Sequence, residues 1–128
     1  MGRIIVPVKI ESFSDSSKTI RCDALVDTGA AHMVLPSAWK ERLGTLDMAE
    51  SVEVEMATQE TVQAEVCGPV KIQIEGFRPI SSEVLFVDMR PVDGLYDPLI
   101  GYLVLEHSQA AVDMIGHRLI HVKHVDLK

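Results

Sequence analysis

The sequence predicts an all-β domain, a sheet closed on itself like a barrel with one or two short helices, and three observations predict it. Apolar residues recur at every second position through several short runs, most clearly between Ser51 and Glu75. Turn-forming residues separate these runs at short intervals. The hydrophobic fraction is 47%, only 5% of residues are aromatic, and Val, Ile, Leu and Ala carry most of the remainder, as pleated, half-buried strands require. Many short strands leave many unpaired edges, and closing the sheet removes them. A chain of 128 residues suits one core better than two, and neither an internal repeat nor a linker divides it, so residues 1–128 are read as a single domain.

The elements follow in order. Arg3 to Glu11 and Lys18 to Val26 are Ile- and Val-rich runs on either side of a polar turn, Ser12 to Ser17, and form an antiparallel pair. His32 to Leu35 is a short strand. Pro36 to Gly44 has a cap residue and a terminating glycine, with Trp39 and Leu43 spaced for one helical face. Val52, Val54 and Met56, then Val62, Ala64 and Val66, then Val70, Ile72 and Ile74 mark strands, with a hairpin tip at Ala57-Thr58-Gln59-Glu60 and a bend at Gly68-Pro69. Ser82 to Val87 is a further strand, and Asp88 to Pro98 is a loop. Leu99-Ile100-Gly101 leads into a helical turn over Tyr102 to His107. Ala111 to Ile115 and His117 to Val122, joined across Gly116, make the last hairpin.

Charge and composition exclude several functions. A net charge of −7 with scattered basic residues argues against nucleic acid as a partner, because phosphate binding needs a basic stripe. No apolar run approaches the roughly 20 residues of a membrane span, and Met1 to Pro7 lacks the long apolar run of a secretory signal, so a soluble, cytoplasmic protein without a membrane partner is expected. Cys22 and Cys67 sit in strand-like runs and read as buried free thiols. His117, His121 and His124, with His107 nearby, raise the question of a metal, but no cysteine or carboxylate joins them at ligand spacing. On a strand His124 would point away from the other two, so neither a metal nor another cofactor is expected. Ser37 and Ser108 have no base arranged beside them for nucleophilic catalysis.

One segment carries chemistry. Ala24-Leu25-Val26-Asp27-Thr28-Gly29-Ala30 places a carboxylate at the end of an apolar strand, just before a turn containing glycine. A charge there needs hydrogen bonds, and glycine lets backbone N–H groups approach closely enough to supply them. Alone, the triplet reads first as a turn cap, since Asp-x-Gly is common in loops. A second segment, Leu99-Ile100-Gly101 running into a helical turn, gives it a setting.

Together, Leu25 to Ala30, the following Val34-Leu35-Pro36 and the later Leu99-Ile100-Gly101 resemble the retropepsin-like aspartic proteases, particularly short bacterial forms. The resemblance covers nearly the whole chain. It implies an aspartic endopeptidase that works as a homodimer on peptide or protein substrates, each chain giving one Asp27-Thr28-Gly29 loop. Hydrolysis by carboxylates needs one ionised and one protonated group, and two carboxylates about 3 Å apart share a proton and supply both. Asp27 would be catalytic, Thr28 would bond across the two-fold axis, Gly29 would give its N–H to the Asp27 carboxylate, and Ile100-Gly101 would pack beneath the loop. Ala30, Ala31 and His32 beside the loop, and Ala57, Thr58 and Gln59 at a flap, would bind substrate; His32 reads equally as packing against the loop. Retroviral members carry an acidic residue and an arginine where this chain has Ala31 and Tyr102, so both members of a charge pair are absent together. The flap tip also lacks the usual glycines. The alternative on the same fold is a catalytically weak dimeric module for peptide binding or assembly.

Overall fold

A computed structural model describes residues 3–55 and 58–122. Strand β1 (Ile5–Ser12) pairs antiparallel with β2 (Thr19–Val26), from Ile5 opposite Leu25 to Glu11 opposite Thr19. Asp15 shapes the turn between them by accepting hydrogen bonds from the Ser17 N–H and hydroxyl at 3.0 and 2.6 Å. Strand β3 (Met33–Pro36) runs into a 3₁₀ helix, Ser37–Leu43. Gly44 ends that helix at φ +70°, the left-handed conformation that glycine adopts without penalty. Trp39 and Leu43 do share the inward face: Leu43 is buried, and Trp39 packs against the core with Arg42 over its ring.

The next segment folds into β4 (Met48–Glu55) and a fourteen-residue β5 (Thr61–Ile74), followed by β6 (Ile80–Val87) and the two-residue β7 (Leu99–Ile100). The expected bend at Gly68-Pro69 is present. The pairing of β5 with β6 slips between Cys67 and Val70, where Pro69 has no N–H for the ladder. A Cβ on Gly68 would lie 3.2 Å from Glu83 Cα and the Ser82 carbonyl, so glycine lets the neighbouring strand approach closely there. Before the bend β5 pairs with β4; after it β5 pairs with β1, from Val70 opposite Ser12 to Ile74 opposite Val8. This second pairing closes the sheet. The order β1-β2-β7-β3-β6-β5 returns to β1, and β4 hangs on β5 as an arm.

Helix α1 (Tyr102–His107) and a separate hairpin of β8 (Ala110–Asp113) and β9 (Arg118–His121) complete the chain. The hairpin is shorter than its apolar pattern suggests, because Asp113 Oδ1 accepts the N–H groups of Ile115 and Gly116 and turns the chain early. His117 therefore sits in the turn at φ +52°, off the strand that was expected to align it with His121. His121 stacks on Phe77 with ring centroids 4.3 Å apart, and His124 lies outside the described residues. Among the described residues no three His, Cys, Asp or Glu side chains converge as a metal site, and no helix is long and apolar enough to cross a membrane.

The strands bury one large cluster inside the ring, including Ile10, Ile20, Met33, Ile72, Phe86 and Ile100. β3 and β6 are covered on both sides. Met33, Leu35, Val84 and Phe86 face this core, while Val34, Leu85 and Val87 join Ala64 in a smaller cluster beneath the β4–β5 arm. That second cluster is what supports the site.

Cys67 is buried, Cys22 is half-buried and both are free thiols. Burial pushes each thiol up to about 11. Both are therefore expected to resist alkylation at pH 8 in the folded protein and to react fully in denaturant, as mass spectrometry will register. A raised folded-state value holds the proton more tightly than the unfolded chain does. This stabilisation is complete below pH 9 and fades as the pH climbs toward 11.

Candidate active site

Strand β2 delivers Asp27 one residue beyond its last ladder position, and the loop that follows is held from two directions. The Asp27 N–H donates to the Ile100 carbonyl at 2.9 Å, extending the parallel β2–β7 pairing past the strand end. On the other side the first N–H groups of α1, which have no partners inside the helix, reach the loop: Tyr102 N–H donates to the Ala30 carbonyl at 2.8 Å and Leu103 N–H to the Ala31 carbonyl at 3.1 Å. Ile100 and Gly101 thus lie directly against the Asp27 loop. The approach is so close that a Cβ on Gly101 would collide with the backbone carbonyl groups of Ala31 and His32.

Within the loop, Gly29 N–H donates to Asp27 Oδ1 at 2.9 Å and Ala30 N–H to the Asp27 carbonyl at 3.1 Å. The first bond fixes one carboxylate oxygen in the plane of the turn. A Cβ on Gly29 would stand 3.1 Å from that oxygen, a tight contact that the carboxylate would have to shift by a few tenths of an ångström to relieve. Asp27 is half-buried, whereas Thr28 and Gly29, at the tip of the loop, are exposed. Ala31 and Tyr102 carry no charge pair; the backbone bonds just described join the loop to α1 at these positions.

Asp27 opens onto a cleft of about 1130 Å³. One wall is the loop itself, with Gly29, Ala30, Ala31 and His32. The floor is apolar and comes from the second hydrophobic cluster: Val34 of β3, Leu85 and Val87 of β6, Leu99 of β7 and Val54 of β4. The rim carries Glu53 and Glu55 from β4, Asp88, Met89 and Arg90 after β6, and Asp97 before β7. A smaller hollow of about 530 Å³ lies on the outer face of β1, β2 and β5, around Lys9, Arg21, Cys22 and Gln73, and holds none of the loop.

The structure therefore brings Asp27, Gly29, Ala30, Ala31 and His32 to one cleft and leaves Thr28 at the solvent-facing tip of the loop. Thr58 and Gln59 lie at the exposed tip of the β4–β5 arm and do not line the cleft; Ala57 lies outside the described residues. The arm lines the cleft instead with Glu53, Val54 and Glu55, which the sequence reading passed over as strand residues. The floor residues were missed for a similar reason. Val34, Leu85 and Val87 read as core from their apolarity, and only the two-sided burial of β3 and β6 reveals a second face.

A family model described as aspartyl protease matches residues 6–103, which include the Asp27 loop and Gly101. Among solved structures the chain is similar to EIAV protease complexed with the inhibitor HBY-793, with a TM-score of 0.58 and 24% identity, covering 82% of this chain and 86% of that one. It is also similar to the retroviral protease-like domain of Ddi1 from Leishmania major, with a TM-score of 0.55 and 20% identity, covering 97% of this chain and 91% of that one. At these identities the likeness speaks to the fold. A comparison with curated proteins finds no match.

Proposed function

The chain belongs to the aspartyl protease family, with the retropepsin-like fold, and from that premise we propose that it is an endopeptidase active as a homodimer, with Asp27 of each copy as the catalytic carboxylate. One observation carries this reading: a single Asp-Thr-Gly loop per chain, with its carboxylate at the edge of a cleft of about 1130 Å³. One carboxylate cannot hold both protonation states that the reaction needs. Two Asp27 groups about 3 Å apart across a two-fold axis share one proton and divide the work.

The ionised Asp27 takes a proton from water, and the water oxygen attacks the scissile carbonyl carbon. The protonated Asp27 donates to the carbonyl oxygen, giving a neutral tetrahedral diol. The pair then gives its proton to the amide nitrogen while a diol hydroxyl gives one back to the pair, so the C–N bond breaks, the acid and amine products leave, and the shared proton is restored. In this scheme Gly29 N–H orients each carboxylate and Thr28 ties the two loops together across the axis. The apolar floor of each copy receives substrate side chains, and the β4–β5 arms, with Thr58 and Gln59 at their tips, close over the bound peptide.

The oligomeric requirement is tested by dilution. Specific activity is expected to fall together with the dimer fraction measured by analytical ultracentrifugation. Two copies at −7 each bring −14 together, so raising the salt concentration is expected to restore dimer and activity in parallel. Full activity in a strictly monomeric species rules the dimer out.

A further inference from the structure

We propose that the cleft selects peptide segments that present lysine or arginine beside an apolar residue, with Glu53, Glu55, Asp88 and Asp97 setting that preference. The proposal deepens the peptidase reading and rests on the cleft being the substrate site. Its first basis is the division of the cleft into two chemistries. The floor of Val34, Leu85, Val87 and Leu99 offers only apolar contact. The rim is one-sided in charge: among the described residues that line the cleft, five are acidic, counting Asp27, and one, Arg90, is basic.

The second basis is that this charge is arranged around the trough. Glu53 and Glu55 flank Val54 on β4, and strand alternation turns their side chains to the face opposite the valine, so they border the cleft along this edge strand while Val54 joins the floor. Asp88 follows the last residue of β6, and Asp97 comes from the far end of the following loop. Three separate segments thus bring acids to one concavity. The outer hollow is the control: there Lys9 and Arg21 stand against Asp23 and Glu75, two of each sign. The overall charge of −7 therefore does not make every concavity on this chain acidic.

Third, among the described residues none of the rim charges takes part in an ion pair. Among the described residues the ion pairs join Lys40 to Glu65, Lys71 to Glu11 and Arg118 to Asp113, all away from the cleft. Carboxylates of one sign along a low-dielectric trough focus a field that attracts cationic segments and repels acidic ones. The apolar floor supplies the contact area, and the rim decides which peptide arrives and stays.

The test separates binding from turnover. Labelled peptides with one apolar centre, flanked by Lys and Arg, by Gln or by Glu, are titrated onto Asp27→Asn protein by fluorescence anisotropy. The basic peptide is expected to bind about tenfold more tightly than the Gln peptide, several rim charges acting together, and the Glu peptide more weakly than either. Raising salt from about 0.05 M to 0.5 M should erase most of this difference. The pair Glu53→Lys and Glu55→Lys should reverse the ranking, with thermal melts checking the fold and the milder Asp88→Asn and Asp97→Asn reducing it in steps. Equal affinities, a preference for the Glu peptide, or no binding by any peptide overturns the proposal. Wild-type cleavage is scored separately. A bound but uncut basic peptide refutes the peptidase reading and leaves this one standing; cleavage without charge preference does the reverse.

Discussion

Asp27→Asn is expected to abolish peptide cleavage while leaving the melting temperature close to that of the wild type. The fold should survive because the substituted side chain keeps an amide oxygen in place of Oδ1, able to accept the Gly29 N–H bond that holds the loop. Catalysis should not survive, because the amide can neither take a proton from water nor share one with a partner. General acid–base catalysis alone accounts for about 10²- to 10⁴-fold in rate, and the substitution removes the base and the acid together. A mixing experiment sharpens the expectation. If each active unit needs two intact Asp27 residues, equal amounts of wild type and variant, allowed to exchange, retain about one quarter of the activity of all-wild-type dimers, as random pairing in a symmetric dimer dictates. Retention of about one half would mean that the sites work singly. Undiminished cleavage by the variant alone would remove Asp27 from the mechanism.

What the sequence made legible follows from the physics of each element. Period-two runs exposed the strands because one face of each packs inward, and Gly68-Pro69 announced the bend because proline cannot serve the ladder. The Asp27 loop was visible because a carboxylate at the end of an apolar strand is costly without nearby donors, and Gly29 supplied one. The cleft walls were less visible. Glu53 and Glu55 become rim residues only because β4 hangs outside the closed ring, a consequence of long-range pairing between β5 and β1 that no local pattern encodes. The turn at Asp113 was missed because Val112, Met114 and Ile115 continue the apolar run, and a side-chain bond to the Gly116 N–H overrides it.

Gly101→Ala is expected to damage both stability and catalysis. Gly101 has φ −85° and ψ 172°, extended backbone open to any residue, so the cost is space and not backbone strain. The added Cβ would overlap main-chain atoms of Ala31 and His32, which have no rotamer by which to move aside. Relief requires moving the loop away from α1, against the bonds from Tyr102 to Ala30 and from Leu103 to Ala31. Overpacking of this kind costs about 3 kcal/mol. In a domain of this size that corresponds to a melting temperature lower by about 10 °C. The displaced loop carries Asp27, and misplacing a reacting group by about 1 Å costs about 100-fold in rate. Gly76→Ala is the matching control. It has φ +86° but no atom within 4 Å of the new Cβ, so only the left-handed penalty of about 1 kcal/mol applies, far from the cleft. Calorimetry and peptide hydrolysis on the two variants therefore separate close packing from backbone conformation. A Gly101→Ala protein that melts within about 2 °C of wild type, less than 1 kcal/mol in a domain of this size, and cleaves normally would show that the contact beneath the loop does not position Asp27.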